Sequence, residues 1–208
     1  MVFPYRLYLV VNELACKGKN ILQVVESAVR GGVDLVQFRD NTMDETDFAM
    51  TTIALQHLLN KYNVPLIVND RWDIAKGLNA YGVHVGKSDN SPGIIKQVWP
   101  DCNCVGYSVE YEEQINSEEA KKADYLGICP VFTKTGSLME WGIEGIRWIR
   151  SQTNKPLAAI GNINLANVRE VVKAGVNCIA VMSSICSAKD PEKAAALLRN
   201  EIEIANLA

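Results

Sequence analysis

Short runs of consecutive apolar residues recur along the chain, and between them apolar residues return every three or four positions. The runs are Tyr5–Val11, Leu35–Arg39, Leu66–Asn69, Gly82–Val85, Cys104–Ser108, Tyr125–Ile128, Leu157–Ile160 and Cys178–Met182. They are brief and rich in Val, Ile and Leu, as strands covered on both faces should be. The spans between them carry helical spacing. Ile21, Val24, Val25 and Ala28 share one face, and Gly31-Gly32 ends that helix. Ala166, Val168, Val171, Val172 and Ala174 repeat the pattern up to Gly175. A further helix is predicted to start near Asp44, with Glu45 in its first turn, where negative charge suits the helix dipole. Ser117-Glu118-Glu119 marks another start, and Ala194 to Leu207 forms a last helix.

Strand followed by helix, repeated, predicts a parallel sheet. Eight such units in about 200 residues fit the compact end of the (β/α)8 TIM barrel. An open doubly wound sheet is the rival. It usually needs fewer units, and no G-x-G-x-x-G follows the first strand here. Low complexity, long linkers and heavy charge blocks are absent, so residues 1–208 are expected to form one α/β barrel domain.

Charge and cysteine usage then exclude some function classes. Lys plus Arg number 21 and Asp plus Glu 24, a net charge of −3. That excludes a generally basic nucleic-acid binder but leaves room for a local cationic pocket. No apolar run approaches the roughly 18 residues of a membrane span, so no membrane partner is expected. Met1 to Val11 carries Tyr5, Arg6 and Tyr8 without a small-residue cleavage site, and reads as a first strand rather than a signal peptide. The six cysteines include one C-x-C, Cys102 and Cys104, and no C-x-x-C. The two histidines have no zinc spacing. Reduced thiols in the cytoplasm are the expectation.

A barrel places its chemistry just after its strands. Strand two ends Gln37-Phe38-Arg39-Asp40-Asn41. Arg39 can fork onto a phosphate, or pair with Asp40 or Asp44. Strand three ends Asn69-Asp70-Arg71. Asp70 suits magnesium, which keeps most of its sites for water and substrate, or it caps the next helix. Alternation points His84 of strand four into the barrel, as a site residue or a core histidine. Asp89 follows in the loop, where it and Asp70 can share a divalent ion, or it caps the helix near Ser91-Pro92. The Ser108 hydroxyl can bond a phosphate or its own loop. After strand six, Thr133-Lys134-Thr135-Gly136-Ser137 reads as an anion-binding loop or an ordinary polar one. Strands seven and eight end at Gly161-Asn162 and Met182-Ser183, where barrels usually hold a phosphate. Tight-turn chemistry is the alternative there. Glu118-Glu119 with Lys121-Lys122 is a solvated helix face. Cys129 lies near the mouth, but no histidine neighbours it in sequence. Together these residues predict two phosphate sites, one at Arg39 with a metal on Asp70 and Asp89, the other at Gly161 and Ser183. That implies joining or rearranging small phosphorylated molecules.

From about Tyr5 to Ser187 the same strand ends resemble the thiamin phosphate synthase family. Val36-Gln37-Phe38-Arg39 resembles its V-Q-L-R signature, and Ile67-Val68-Asn69-Asp70-Arg71 its I-N-D-R motif. Gly82-Val83-His84-Val85-Gly86 with Asp89 resembles G-V-H-L-G-Q-x-D. Ala123-Asp124-Tyr125-Leu126-Gly127 with Pro130-Val131-Phe132 resembles A-D-Y-L-G-x-G-P-V-F. Ala159-Ile160-Gly161 and Ala180-Val181-Met182-Ser183 are similar to its last two signatures.

The resemblance implies a TIM barrel and a transferase reaction. Hydroxymethylpyrimidine pyrophosphate loses pyrophosphate while a thiazole phosphate nitrogen attacks its methylene carbon, giving thiamin phosphate. Asp70 and Asp89 would hold Mg2+ on the pyrophosphate, with Arg39 and Asn69 in contact with it. Gln37 would read the pyrimidine and His84 line its pocket. Gly161, Met182 and Ser183 would hold the thiazole phosphate. Ser108, Thr133, Thr135 and Lys134 complete the expected set, Lys134 standing in for a family lysine.

The chain also departs from the pattern. Asn41 replaces a lysine, Thr133-Lys134-Thr135-Gly136 replaces T-x-T-K, and Lys87 replaces a glutamine. Asn162 replaces a glycine and Glu110 a histidine. Two other readings therefore stand beside the synthase. One is a thiazole tautomerase-like paralogue, although that branch uses a histidine where Pro130 stands. The other is a non-catalytic binder of thiazole phosphate or thiamin phosphate. A homodimer is expected only by analogy with other barrels.

Overall fold

The structure, a computed structural model, describes residues 3–133 and 140–207. Every predicted run is a strand: β1 Leu7–Val11, β2 Leu35–Phe38, β3 Leu66–Asn69, β4 Gly82–Val85, β5 Cys104–Val109, β6 Tyr125–Ile128, β7 Leu157–Ile160 and β8 Cys178–Val181. All pairings are parallel and follow chain order. β8 returns to β1 through Leu7↔Ile179, Tyr8↔Ala180 and Leu9↔Val181, which closes the barrel. β1 starts later than predicted, because the Arg6 N–H donates to the Asp34 carboxylate instead of a neighbouring strand.

The helices are α1 Ile21–Arg30, α2 Glu45–Asn60, α3 Trp72–Gly77, α4 Pro92–Val98, α5 Glu112–Ile115, α6 Glu118–Lys122, α7 Gly142–Gln152, α8 Val168–Lys173, α9 Ser183–Cys186 and α10 Pro191–Leu207. Asp44 caps α2 by accepting from the Asp47 N–H, and Ser117 caps α6 by accepting from Ala120. α10 starts before the predicted Ala194. Asp190 accepts from the Lys193 N–H, and Pro191 suits the first turn. Two four-residue helices, α5 and α9, and a 3-10 turn at Leu14–Cys16 went unpredicted, being too short to show periodicity. No helix among the described residues is long and apolar enough to cross a membrane.

Alternate strand residues feed two cores. Inside the barrel lie Tyr8, Leu35, Ile67, Cys104, Tyr125, Ala158 and Cys178. Between sheet and helices lie Leu9, Val36, Phe38, Val68, Val83, Leu126 and Ile179. Each such side chain contributes about 1.5–3 kcal/mol when fully buried. The Phe38 and Phe48 rings stack at 4.5 Å, and the Arg71 guanidinium covers Phe48 at 4.6 Å. These contacts seat α2 beside the ends of β2 and β3.

Candidate active site

A cavity of about 820 Å³ opens at the C-terminal end of β2 to β5. Arg39, Asn69, Asp70, His84, Asp89 and Ser108 line it together, as the strand-end rule predicts. Asn41, Lys87, Glu110, Tyr111, Glu113 and Cys129 also line it. The Lys87 ammonium lies 5.2 Å from the Tyr111 ring centre. Burial, with Glu110 adding to it, pushes the Cys129 thiol up, away from the thiolate.

Asp70 has φ of +58°, a left-handed conformation that Asp tolerates better than most residues. Its N–H donates to the His84 carbonyl at 2.9 Å, which ties the end of β3 to β4. It does not cap α3. Its carboxyl shares a hydrogen bond with Asp89, whose Oδ2 also accepts from the Gly86 N–H at 2.8 Å. Ser91, not Asp89, caps α4. Burial first, then the Asp89 hydrogen bond and charge, push the Asp70 carboxyl up to about 6, while Arg39 and Asn69 oppose the rise. Two carboxylates that share a proton suit a divalent cation in its place. No group of three or more His, Cys, Asp or Glu among the described residues forms a protein-only cage. A carboxylate pair open to a cavity fits magnesium, which takes one or two carboxylates and fills its shell with water and substrate.

Arg39 is exposed at the mouth and forms no ion pair among the described residues. Neither suggested acid pairs with it. Asp44 caps α2. Asp40 accepts from the N–H groups of Thr42, Met43 and Glu13 and from the Thr42 hydroxyl. Burial would raise the Asp40 carboxyl, but these donors outweigh it and hold it below the usual range. Asp40 therefore shapes the loop rather than pairing with the guanidinium.

His84 is half-buried and lines the cavity. Its ring forms part of the cavity floor, and both ring nitrogens have partners inside the barrel. Nδ1 lies 2.9 Å from the Tyr125 hydroxyl and Nε2 2.9 Å from the Ser108 hydroxyl. Burial first and Arg39 second push its pKa down to about 4, so the imidazole is neutral at neutral pH. Gln37 is buried and absent from the cavity wall. Its Nε2 donates to the Tyr8 hydroxyl at 2.6 Å, and that hydroxyl lies 2.9 Å from the hydroxyl of Tyr125. Sequence reasoning passed over Tyr8 and Tyr125. The available signal was a tyrosine in a buried run, whose hydroxyl must find a partner.

A second, smaller cavity of about 190 Å³ lies at the ends of β7 and β8. It gathers Gly161, Asn162, Met182, Ser183 and Ser184. Gly161 has φ of +126°, and a Cβ there would lie 2.6 Å from the Val131 nitrogen. The close approach that glycine permits is thus to the backbone after β6. Thr133 donates through its N–H and hydroxyl to the Glu140 carboxylate, at 2.7 and 3.2 Å. Lys134, Thr135, Gly136 and Ser137 lie outside the described residues.

Fold and mouth together define a TIM-barrel protein whose strand ends bring together an exposed guanidinium, a carboxylate pair and, at β7 and β8, a glycine-and-serine cavity. Residues 7–185 match the family model described as thiamine monophosphate synthase. The chain is 41% identical to the thiamine-phosphate synthase of Albidiferax ferrireducens over 201 residues, covering 95% of this chain and 92% of that one. It is 36% identical to that of Leptospira biflexa over 202 residues, covering 94% and 96%. The solved thiamine phosphate pyrophosphorylase from Pyrococcus furiosus superposes with a TM-score of 0.88 at 33% identity, over 97% of each chain. The chain belongs to the thiamine monophosphate synthase family.

Proposed function

We propose that the chain joins hydroxymethylpyrimidine pyrophosphate to hydroxyethylthiazole phosphate, yielding thiamin phosphate and pyrophosphate. The observation that carries this reading is the single cavity that gathers Arg39, Asn69, Asp70, Asp89 and Ser108 on a family barrel. The bond between the pyrimidine methylene carbon and the pyrophosphate oxygen breaks, and its electrons leave with pyrophosphate. The thiazole nitrogen's lone pair forms the new carbon–nitrogen bond. No proton has to be removed from that nitrogen, so the chain's work is positioning and charge stabilisation.

Arg39 takes the pyrophosphate with two parallel N–H donors. The Asn69 amide and the Ser108 hydroxyl add neutral donors. Asp70 and Asp89 are the residues that would hold Mg2+, which when bound would neutralise charge developing on the leaving group. Lys87 brings the nearest described ammonium to this wall, where the family pattern has glutamine. In the smaller cavity, Gly161, Met182 and Ser183 receive the thiazole phosphate. Gln37 reads the pyrimidine only if its amide oxygen faces the ligand, since its Nε2 is engaged with Tyr8. The chain's six cysteines are free thiols, which supports a reducing compartment such as the cytoplasm.

A tautomerase would need a base at the thiazole. Pro130 stands at the position of that branch's histidine, and both nitrogens of His84 are occupied. The synthase reading is therefore favoured. Purified protein with both substrates and Mg2+ is expected to form thiamin phosphate, and Asp70→Asn to lower its formation roughly a hundredfold or more. Thiazole phosphate binding without pyrophosphate binding or product would establish a binding protein instead.

A further inference from the structure

Five side chains from five strands form an unbroken hydrogen-bonded file through the barrel: Gln37, Tyr8, Tyr125, His84 and Ser108. The four steps measure 2.6, 2.9, 2.9 and 2.9 Å. We infer that this file has one fixed polarity, running from Gln37 to the mouth, and that it makes Ser108 a donor to the leaving pyrophosphate. Tyr8, Tyr125 and His84 are positioning residues that act through Ser108. The pyrophosphate part of this inference rests on the synthase reading, but the polarity does not.

The polarity follows from counting protons. The Gln37 Nε2 has only protons to give, so the Tyr8 oxygen accepts. The single Tyr8 proton then goes to Tyr125, and the Tyr125 proton to His84 Nδ1. A neutral imidazole whose Nδ1 accepts carries its proton on Nε2, and that proton goes to Ser108. The Ser108 proton has no acceptor left within the file, and Ser108 lines the cavity. It therefore points at the ligand. The reverse polarity would present lone pairs to an anion. A charged imidazolium would donate at both ends and strand a tyrosine proton in a closed interior.

The barrel is built around this ring. A Cβ at Gly106 would lie 2.3 Å from both His84 Nδ1 and Tyr125 Cζ, and one at Gly127 2.9 Å from His84 Cε1. Tyr8 and Tyr125 are fully buried, so water does not compete for their hydroxyls. Ser108 shares the cavity wall with Arg39, Asn69, Asp70 and Asp89. The residues that fix its proton are read from the geometry alone.

Nitrogen-15 NMR of histidine-labelled protein tests the polarity. The chain has two histidines, and His57 is exposed on α2, so the two spectra separate. His84 is expected to show a protonated Nε2 and a bare Nδ1 at neutral pH. A protonated Nδ1 overturns the inference. Tyr125→Phe should mix the two tautomers and lower kcat roughly tenfold, the effect of about one hydrogen bond, with KM little changed. In a Ser108→Ala background the same substitution should cost nothing further. Full additivity of the two losses overturns the positioning role. Should Tyr125→Phe fail to fold, Tyr8→Phe and the wild-type spectrum still decide. A wild-type protein with the stated tautomer but no product would sink the synthase reading and leave the polarity standing.

Discussion

Asp70 is held in a left-handed turn beside a second carboxylate, and its proton becomes a reporter of that pairing. An acid whose folded pKa lies above its unfolded value binds its proton more tightly when folded. Its contribution to stability is full below the unfolded value, 3.8, and is lost as pH rises through about 6. In metal-free buffer the wild type should therefore lose melting temperature between about pH 4 and 7. Asp70→Asn should flatten that slope and melt above the wild type at neutral pH, as calorimetry will show. The same variant should lose roughly a hundredfold or more in product formation, since metal-assisted charge stabilisation is worth several kcal/mol. Arg39→Lys keeps the charge but loses the fork, so KM for the pyrophosphate substrate should rise by about tenfold in steady-state assays. Most of these residues were legible in the sequence. Arg39, Asn69, Asp70 and Ser108 stand at or next to the ends of apolar runs, Asp89 follows in the loop after β4, and strand ends converge. Tyr8 and Tyr125 were not, because a tyrosine inside an apolar run does not say which hydroxyl it will meet across a barrel. Gln37 was read as facing the ligand, whereas its nitrogen turns inward to Tyr8.

At the scale of elements, β4, β5 and β6 act as one unit around the His84 ring. The glycines on β5 and β6 leave the volume that the imidazole and the Tyr125 ring occupy. Gly106→Ala should force one of them to move, at about 1–3 kcal/mol in stability by denaturant titration. Activity should fall beyond what the lost stability explains, since the displaced ring no longer reaches Ser108. Element positions were largely readable. β3, β4, β6 and β7 end where their apolar runs end, and Asp44 and Ser117 cap the helices they were expected to start. The errors have local causes. A side-chain carboxylate claims the Arg6 N–H, a cap at Asp190 lengthens α10, and four-residue helices are too short to show a period.

For the whole molecule, eight repeats of strand and helix pointed to the barrel before any contact was known. The register that closes it could not be read, because pairing of Leu7 with Ile179 joins residues from opposite ends of the chain. Taking the chain as one folding unit, every strand depends on two neighbours around the ring. Denaturant unfolding followed by circular dichroism and by tryptophan fluorescence should then give a single coincident transition. Two separated transitions would contradict it. Closure has another consequence, for behaviour in concentrated solution. An open sheet exposes a row of unpaired amide and carbonyl groups to any passing strand, and this ring presents none. Among the described residues the folded barrel thus offers no template for edge-to-edge aggregation. Aggregates that form on warming must grow from opened chains, at a rate set by how many chains are open.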